Sequence, residues 1–267
     1  MEMKTVSKAA FPLRRRLAQC MLVVALIQMV ACTSVAPTGA AKNPSGHASA
    51  DRASVSKPIV STPPFDTWQH YALPGKQATA FSFQQLDGRA VVGAFADASA
   101  SMLRKRIRIE AADLGQITFS WMVPELITHA DMGLRQSDDS PVRIVLAFEG
   151  DRSKFSMKNA MLSELSLAIT GEPLPYATLM YVWCNTRPSG SVIVNARTDR
   201  IRKMVVESGA KRLSRWLAYE RNIRADFEKA FGELPGPLVG IAIMTDTDNT
   251  QTKTYAWYGP MELIAGK

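Results

Sequence analysis

An antiparallel, jelly-roll-like β-sandwich with two accessory helices is the fold class this sequence predicts. Three observations predict it. Short apolar or alternating runs recur from Arg89 to Ile264. Only two stretches switch to helical spacing. No regular strand–helix alternation, the mark of a parallel sheet, is present. The chain has 267 residues, 46% of them apolar and 21% charged. That balance excludes a wholly disordered, collagen-like or coiled-coil chain.

The elements follow in order. Arg89–Ala96 is short and apolar. Arg106–Glu110 alternates strictly, with Ile107 and Ile109 on one face, and the basic stretch from Leu103 to Arg108 reads as a solvated strand face. Ile117, Phe119 and Trp121 alternate with Thr118, Ser120 and Met122. Val142, Ile144, Leu146 and Phe148 line one face of the next strand, which puts Arg143 on the opposite parity. Further strands are predicted at Ala177–Cys184, Ser191–Asn195, Ile201–Glu207, Leu238–Met244 and Thr254–Ile264. The first helical pattern spans Phe155–Ile169, where Met157, Met161, Leu165 and Ile169 recur every four residues. In the second, Trp216, Ile223, Phe227 and Phe231 form a stripe, Gly232 is placed to cap it, and Pro235 and Pro237 prevent continuation.

Residues 1–31 read as a lipoprotein signal peptide. Lys4, Lys8 and Arg14–Arg16 form a basic region before the uncharged stretch Met21–Ala31, too short to span a bilayer. The stretch closes on Met29-Val30-Ala31-Cys32, which resembles the bacterial lipobox. The resemblance implies a diacylglycerol thioether and an acylated amine on Cys32, and acyl chains of that number hold firmly to a membrane. Thr33 follows Cys32 where inner-membrane retention usually has Asp. The expected address is therefore a bacterial cell envelope, exported by general secretion and lipid-anchored at the periplasmic face of the outer membrane. Residues 32–64 are the lipidated Cys32 and a disordered tether: Ala, Ser, Thr, Pro and Gly supply 22 of the 32 positions after Cys32. A single sandwich domain is expected over 65–267.

Lys and Arg number 32 and Asp and Glu 24, a net charge of +8. Without residues 1–31 the counts fall to 27 and 23, which leaves +4. Much of the basic character thus belongs to the signal, and nucleic acid is not an expected partner. Of three cysteines only Cys184 remains free, in the apolar run Leu179–Cys184, where a buried inert thiol is expected.

Motifs for zinc, serine-hydrolase, P-loop and paired-cysteine chemistry are absent, and His70 and His129 have no ligand-like neighbours in sequence. A non-enzyme is the default. Asp246, Asp248 and Asn249, directly after an apolar strand, offer oxygens like the start of a calcium loop, but the rest of that motif is missing. A turn whose side chains bond their own backbone is the plainer reading, and calcium the weak alternative. Asp139 and Arg143 read first as an Asp–Arg pair at a strand entrance and second as part of a polar ligand-binding face. Trp121 and Trp257 read first as core and second as aromatic platforms for sugar rings.

Phe119-Ser120-Trp121, Asp138-Asp139, Arg143-Ile144-Val145, Val206-Glu207-Ser208-Gly209, Asp226-Phe227, Ala230-Phe231-Gly232 and the long segment Gly240–Thr250 together resemble a bacterial exported family, domain-of-unknown-function family three-zero-four-seven. The resemblance covers roughly Phe65–Ile264 and implies no activity. At fold level, Tyr255–Gly259 is similar to the closing strand of carbohydrate-binding jelly rolls. The functional expectation is a tethered binding module for a glycan or other envelope polymer. A hydrolase using Asp139, Asp246 or Asp248, and a structural partner in an envelope complex, are the alternatives.

Overall fold

Two sheets packed face to face account for nearly all of the computed structural model, which describes residues 58–62 and 67–266. The signal peptide, Cys32 and most of the tether lie outside the described residues. The strands are β1 (Pro58–Thr62), β2 (Gln69–Ala72), β3 (Ala80–Leu86), β4 (Arg89–Asp97), β5 (Ala100–Ile109), β6 (Leu114–Met122) and β7 (Ser140–Phe148). After helix α1 (Met157–Thr170) come β8 (Ala177–Cys184), β9 (Val192–Val194), β10 (Ile201–Ser208) and β11 (Leu217–Asn222). Helix α2 (Ile223–Phe231), β12 (Leu238–Asp246) and β13 (Lys253–Ala265) complete the fold.

The six-stranded sheet runs β11-β6-β13-β4-β3, with β1 paired to the second half of β13. The seven-stranded sheet runs β2-β5-β12-β7-β8-β10-β9. The fold is thus the mostly β sandwich with two helices that the patterning predicts. All pairings are antiparallel except β8 with β10, because the chain leaves β8 for the short edge strand β9 and returns between the two as β10.

Alternation sets the core. Val142, Ile144, Leu146 and Phe148 all face the six-stranded sheet and are fully buried against residues such as Phe119, Trp121 and Tyr258. Residues on the opposite face of β7 and β12 are also little exposed, which explains why both strands are apolar almost throughout.

Three expectations are corrected. β1 falls inside the stretch read as tether: Ile59 and Val60 favour extended backbone, and Pro58 sits at the strand's first position, where its missing N–H costs least. Leu217–Asn222, which falls inside the second helical pattern from Trp216 to Phe231, is an edge strand on β6, so α2 starts only at Ile223. β2 and β3, which carry little apolar alternation, were not expected at all. Gly232 does cap α2, at φ 71°.

Candidate functional site

The outer face of the seven-stranded sheet carries a groove of about 600 Å³. Ala100 and Met102 from β5, Ala242 and Met244 from β12, Val145 from β7 and Met180 from β8 make an apolar floor. Leu162, Leu165 and Ile169 of α1 form a wall. At one end the same face turns polar, because the residues alternating with the core there are charged.

Arg143 alternates with the core residues Val142 and Ile144 and is 2% exposed. Its Nε and Nη2 donate to the two carboxylate oxygens of Asp246 at 2.7 and 2.8 Å. Nη2 also donates to the Asp138 carbonyl at 2.8 Å and carboxylate at 3.2 Å. Lys203, from β10, lies 1% exposed and donates from Nζ to Asp138 Oδ2 at 2.5 Å and to the Met132 carbonyl at 2.9 Å. Asn195 Nδ2 adds a third donor to Asp138 at 3.0 Å. Breaking one partner out of such a buried set costs on the order of 3–5 kcal/mol, since it strands a charge.

Burial pushes Asp246 up to about 7, against the opposing pull of Arg143 and with help from Asp139 and Asp138. Burial, aided by Arg143, pushes Lys203 down to about 8 although Asp138 pulls the other way. For Arg143 burial works against the charge, but Asp246 and Asp138 outweigh it and hold the guanidinium firmly protonated.

Asp139 has a different task. Its oxygens accept from the Asn249 backbone and Nδ2 at 3.2 and 2.8 Å, and from the Thr250 N–H and hydroxyl, both at 2.6 Å. It therefore pins the loop between β12 and β13 to the entrance of β7. Asp248 is ion-paired to Lys76. Carboxylate oxygens of Asp139, Asp246 and Asp248 lie within 4.8 Å of one another. The repulsion that the calcium reading of Asp246, Asp248 and Asn249 was meant to relieve is offset by Arg143, Lys76 and the loop's own donors. Asn249, moreover, donates to Asp139 from both its backbone and its side chain.

The structure brings Asp139, Arg143, Asp246, Asp248 and Asn249 together at this end of the groove. It separates both tryptophans from them. Trp121 is 0% exposed between the sheets, its ring 5.0 Å from Phe119 and 5.4 Å from Tyr219, so no face is open to a ligand and the platform reading of this residue is corrected. Trp257 is half-buried on the outer face of the other sheet, beside Tyr255 at 4.6 Å and tilted 55° to it. Tyr255 in turn lies 6.2 Å from Phe95 at 39°, so these rings do not form one flat surface.

Sequence reasoning missed Lys203, Asp138, Asn195 and Lys76. The available signal was Lys203 itself: a lysine inside Ile201–Glu207, on the parity opposite to Met204, has to be satisfied by something. Its partner Asp138 lies 65 residues earlier.

No curated protein matches the chain. Among solved structures, the chain is similar to the xyloglucanase domain of NopAA, a type three effector from Sinorhizobium fredii, in complex with cellobiose. Identity is 9%, the TM-score is 0.42, and the match covers 80% of this chain and 100% of that one. A family model described as "Protein of unknown function (DUF3047)" matches residues 66–262. With nearly three quarters of its length inside that match, the chain belongs to the DUF3047 family.

Proposed function

We propose that this protein is a lipid-anchored cell-envelope binding module that holds a glycan, or a related hydroxyl-rich envelope polymer, in the groove of the seven-stranded sheet. The observation that carries the reading is the groove's polar end: closely spaced carboxylates, a guanidinium, two ammonium groups and two carboxamides, positioned by the sheet beside an apolar floor. Sugars present apolar C–H faces ringed by hydroxyls that both donate and accept, and a few placed polar groups beside apolar surface are what such a ligand needs. The address rests on the sequence around Cys32. Among the described residues no helix is long and apolar enough to cross a membrane.

A hydrolase is the second reading, favoured by the closeness of Asp246 and Asp248, since retaining glycosidases hold two carboxyl groups about 5–5.5 Å apart. It is the weaker one. Both oxygens of Asp246 are engaged by Arg143, and Asp248 is ion-paired to Lys76.

The test is a binding screen of the full chain against envelope polysaccharides, with two variants. Ala147 faces the groove from β7, so Ala147→Trp fills the groove and is expected to abolish capture, while Trp257→Ala on the other sheet leaves capture intact. The opposite pattern, or no capture at all, overturns the groove reading. Shortened saccharide products would convert it to the hydrolase.

A further inference from the structure

The helix α1 is built inside out. Its buried residues are Asn159 and Ser163, while Met157, Met161, Leu165 and Ile169 are 82, 67, 55 and 59% exposed. Asn159 is turned inward to bond Asp199 at 2.6 Å and Thr198 at 2.8 Å, and Ser163 accepts from Arg152 at 2.9 Å. These bonds fix the helix with its apolar row directed away from the core, and Leu165 and Ile169 of that row line the groove.

The floor below has matching chemistry. Met102, Met180 and Met244 supply flexible, polarisable surface, and the floor residues Ala100, Val145, Ala242 and Met244 are no more than 9% exposed, so the floor is deeply recessed. The aromatic ring of this groove, Tyr71, has a face occupied by the Arg104 guanidinium 4.2 Å away, which leaves little for a sugar to stack on. Length and apolarity without a stacking surface suit a polymethylene chain better than a row of sugar rings.

The polar end determines what the other half of such a ligand is. Lys76, Arg143 and Lys203 stand there against Asp138, Asp246 and Asp248, and each cation is already paired with a carboxylate. An anionic head would have to displace an internal carboxylate, and a cationic head an internal cation. An uncharged head that donates and accepts hydrogen bonds complements this balanced set.

We infer that the ligand is an amphiphile: an alkyl or acyl chain lies along the floor under α1, and an uncharged, hydroxyl-rich head sits at Asp138, Arg143 and Asp248. This rests on the groove reading above and narrows its ligand to an acylated or lipid-linked glycan.

Calorimetric titration of the full chain tests it with octyl, decyl and dodecyl maltoside below their micelle concentrations, beside free maltose and decanoate. Affinity is expected to rise about threefold to fourfold with each added methylene. Leu165→Asn, at an exposed wall position, should flatten that dependence without unfolding the protein. Affinity independent of chain length, or equal binding of free maltose, overturns the inference and leaves the glycan reading standing. Decanoate binding as tightly as decyl maltoside overturns both the uncharged head and the glycan reading. If instead the chain dimerises with rising concentration, loses that on Leu165→Asn and ignores every maltoside, the apolar row is a self-association face and the inference fails.

Discussion

Lys203 is the residue whose placement is most expensive and most informative. An ammonium 1% exposed in the middle of a strand is tolerated only because Asp138 and the Met132 carbonyl receive it. Its pKa in the fold, about 8, lies below the ordinary 10.5. A depressed lysine contributes stability that is complete above the unfolded value and is lost as pH falls through the folded one. Between about pH 8 and 10.5, therefore, wild-type stability should rise with pH relative to Lys203→Met. Urea titrations of both proteins at several pH values in that window check it, and parallel curves would show that Lys203 does not titrate early. At this scale the sequence was partly legible. The parity of Arg143 places it on the outer face, where it is found. Asp138 was read only as a neighbour of Asp139, because its three donors come from Arg143, Lys203 and Asn195, and nothing local announces that they converge.

Helix α1 shows what a repeat can and cannot say. A four-residue apolar recurrence identifies the helix, since i and i+4 share a face. It does not say that the shared face is the inner one. Here the inner face was settled by Asn159, Ser163 and their distant partners Asp199, Thr198 and Arg152, none of which forms a local pattern. Met161→Gln should consequently change stability by less than about 0.5 kcal/mol. Asn159→Ala should cost about 1–3 kcal/mol, because it leaves the buried Thr198 hydroxyl without its acceptor. Equilibrium denaturation of the two variants checks the contrast, and a larger loss in Met161→Gln would mean the row is covered in solution. The same limit explains the strands. β7 and β12 were legible because sustained apolar runs mark strands buried on both faces, whereas β2, β3 and β11, at or next to sheet edges and half-exposed, show no comparable pattern.

For the whole molecule, the sandwich could be read because the core-facing sets Ile117, Phe119 and Trp121 on β6 and Val142, Ile144, Leu146 and Phe148 on β7 keep strict parity. The order of strands within the sheets could not, since pairing partners are set by packing across tens of residues and by a single parallel contact between β8 and β10. That order has a temporal side. β12 sits between β5 and β7, and β13 between β4 and β6, so the last two strands of the fold occupy interior positions of both sheets. Before Leu238 each of the two sheets is a pair of separate pieces on either side of a gap. A chain cut after Pro237 should thus show no cooperative thermal transition, which circular dichroism would check against the full chain. A retained sharp melt would mean the earlier strands close on themselves. During synthesis the consequence is a delay: no stable sandwich exists until roughly the final thirty residues have emerged, so the polypeptide stays threadable for almost its entire length. For the exported protein proposed above, that delay would act as a safeguard against folding before the membrane is crossed.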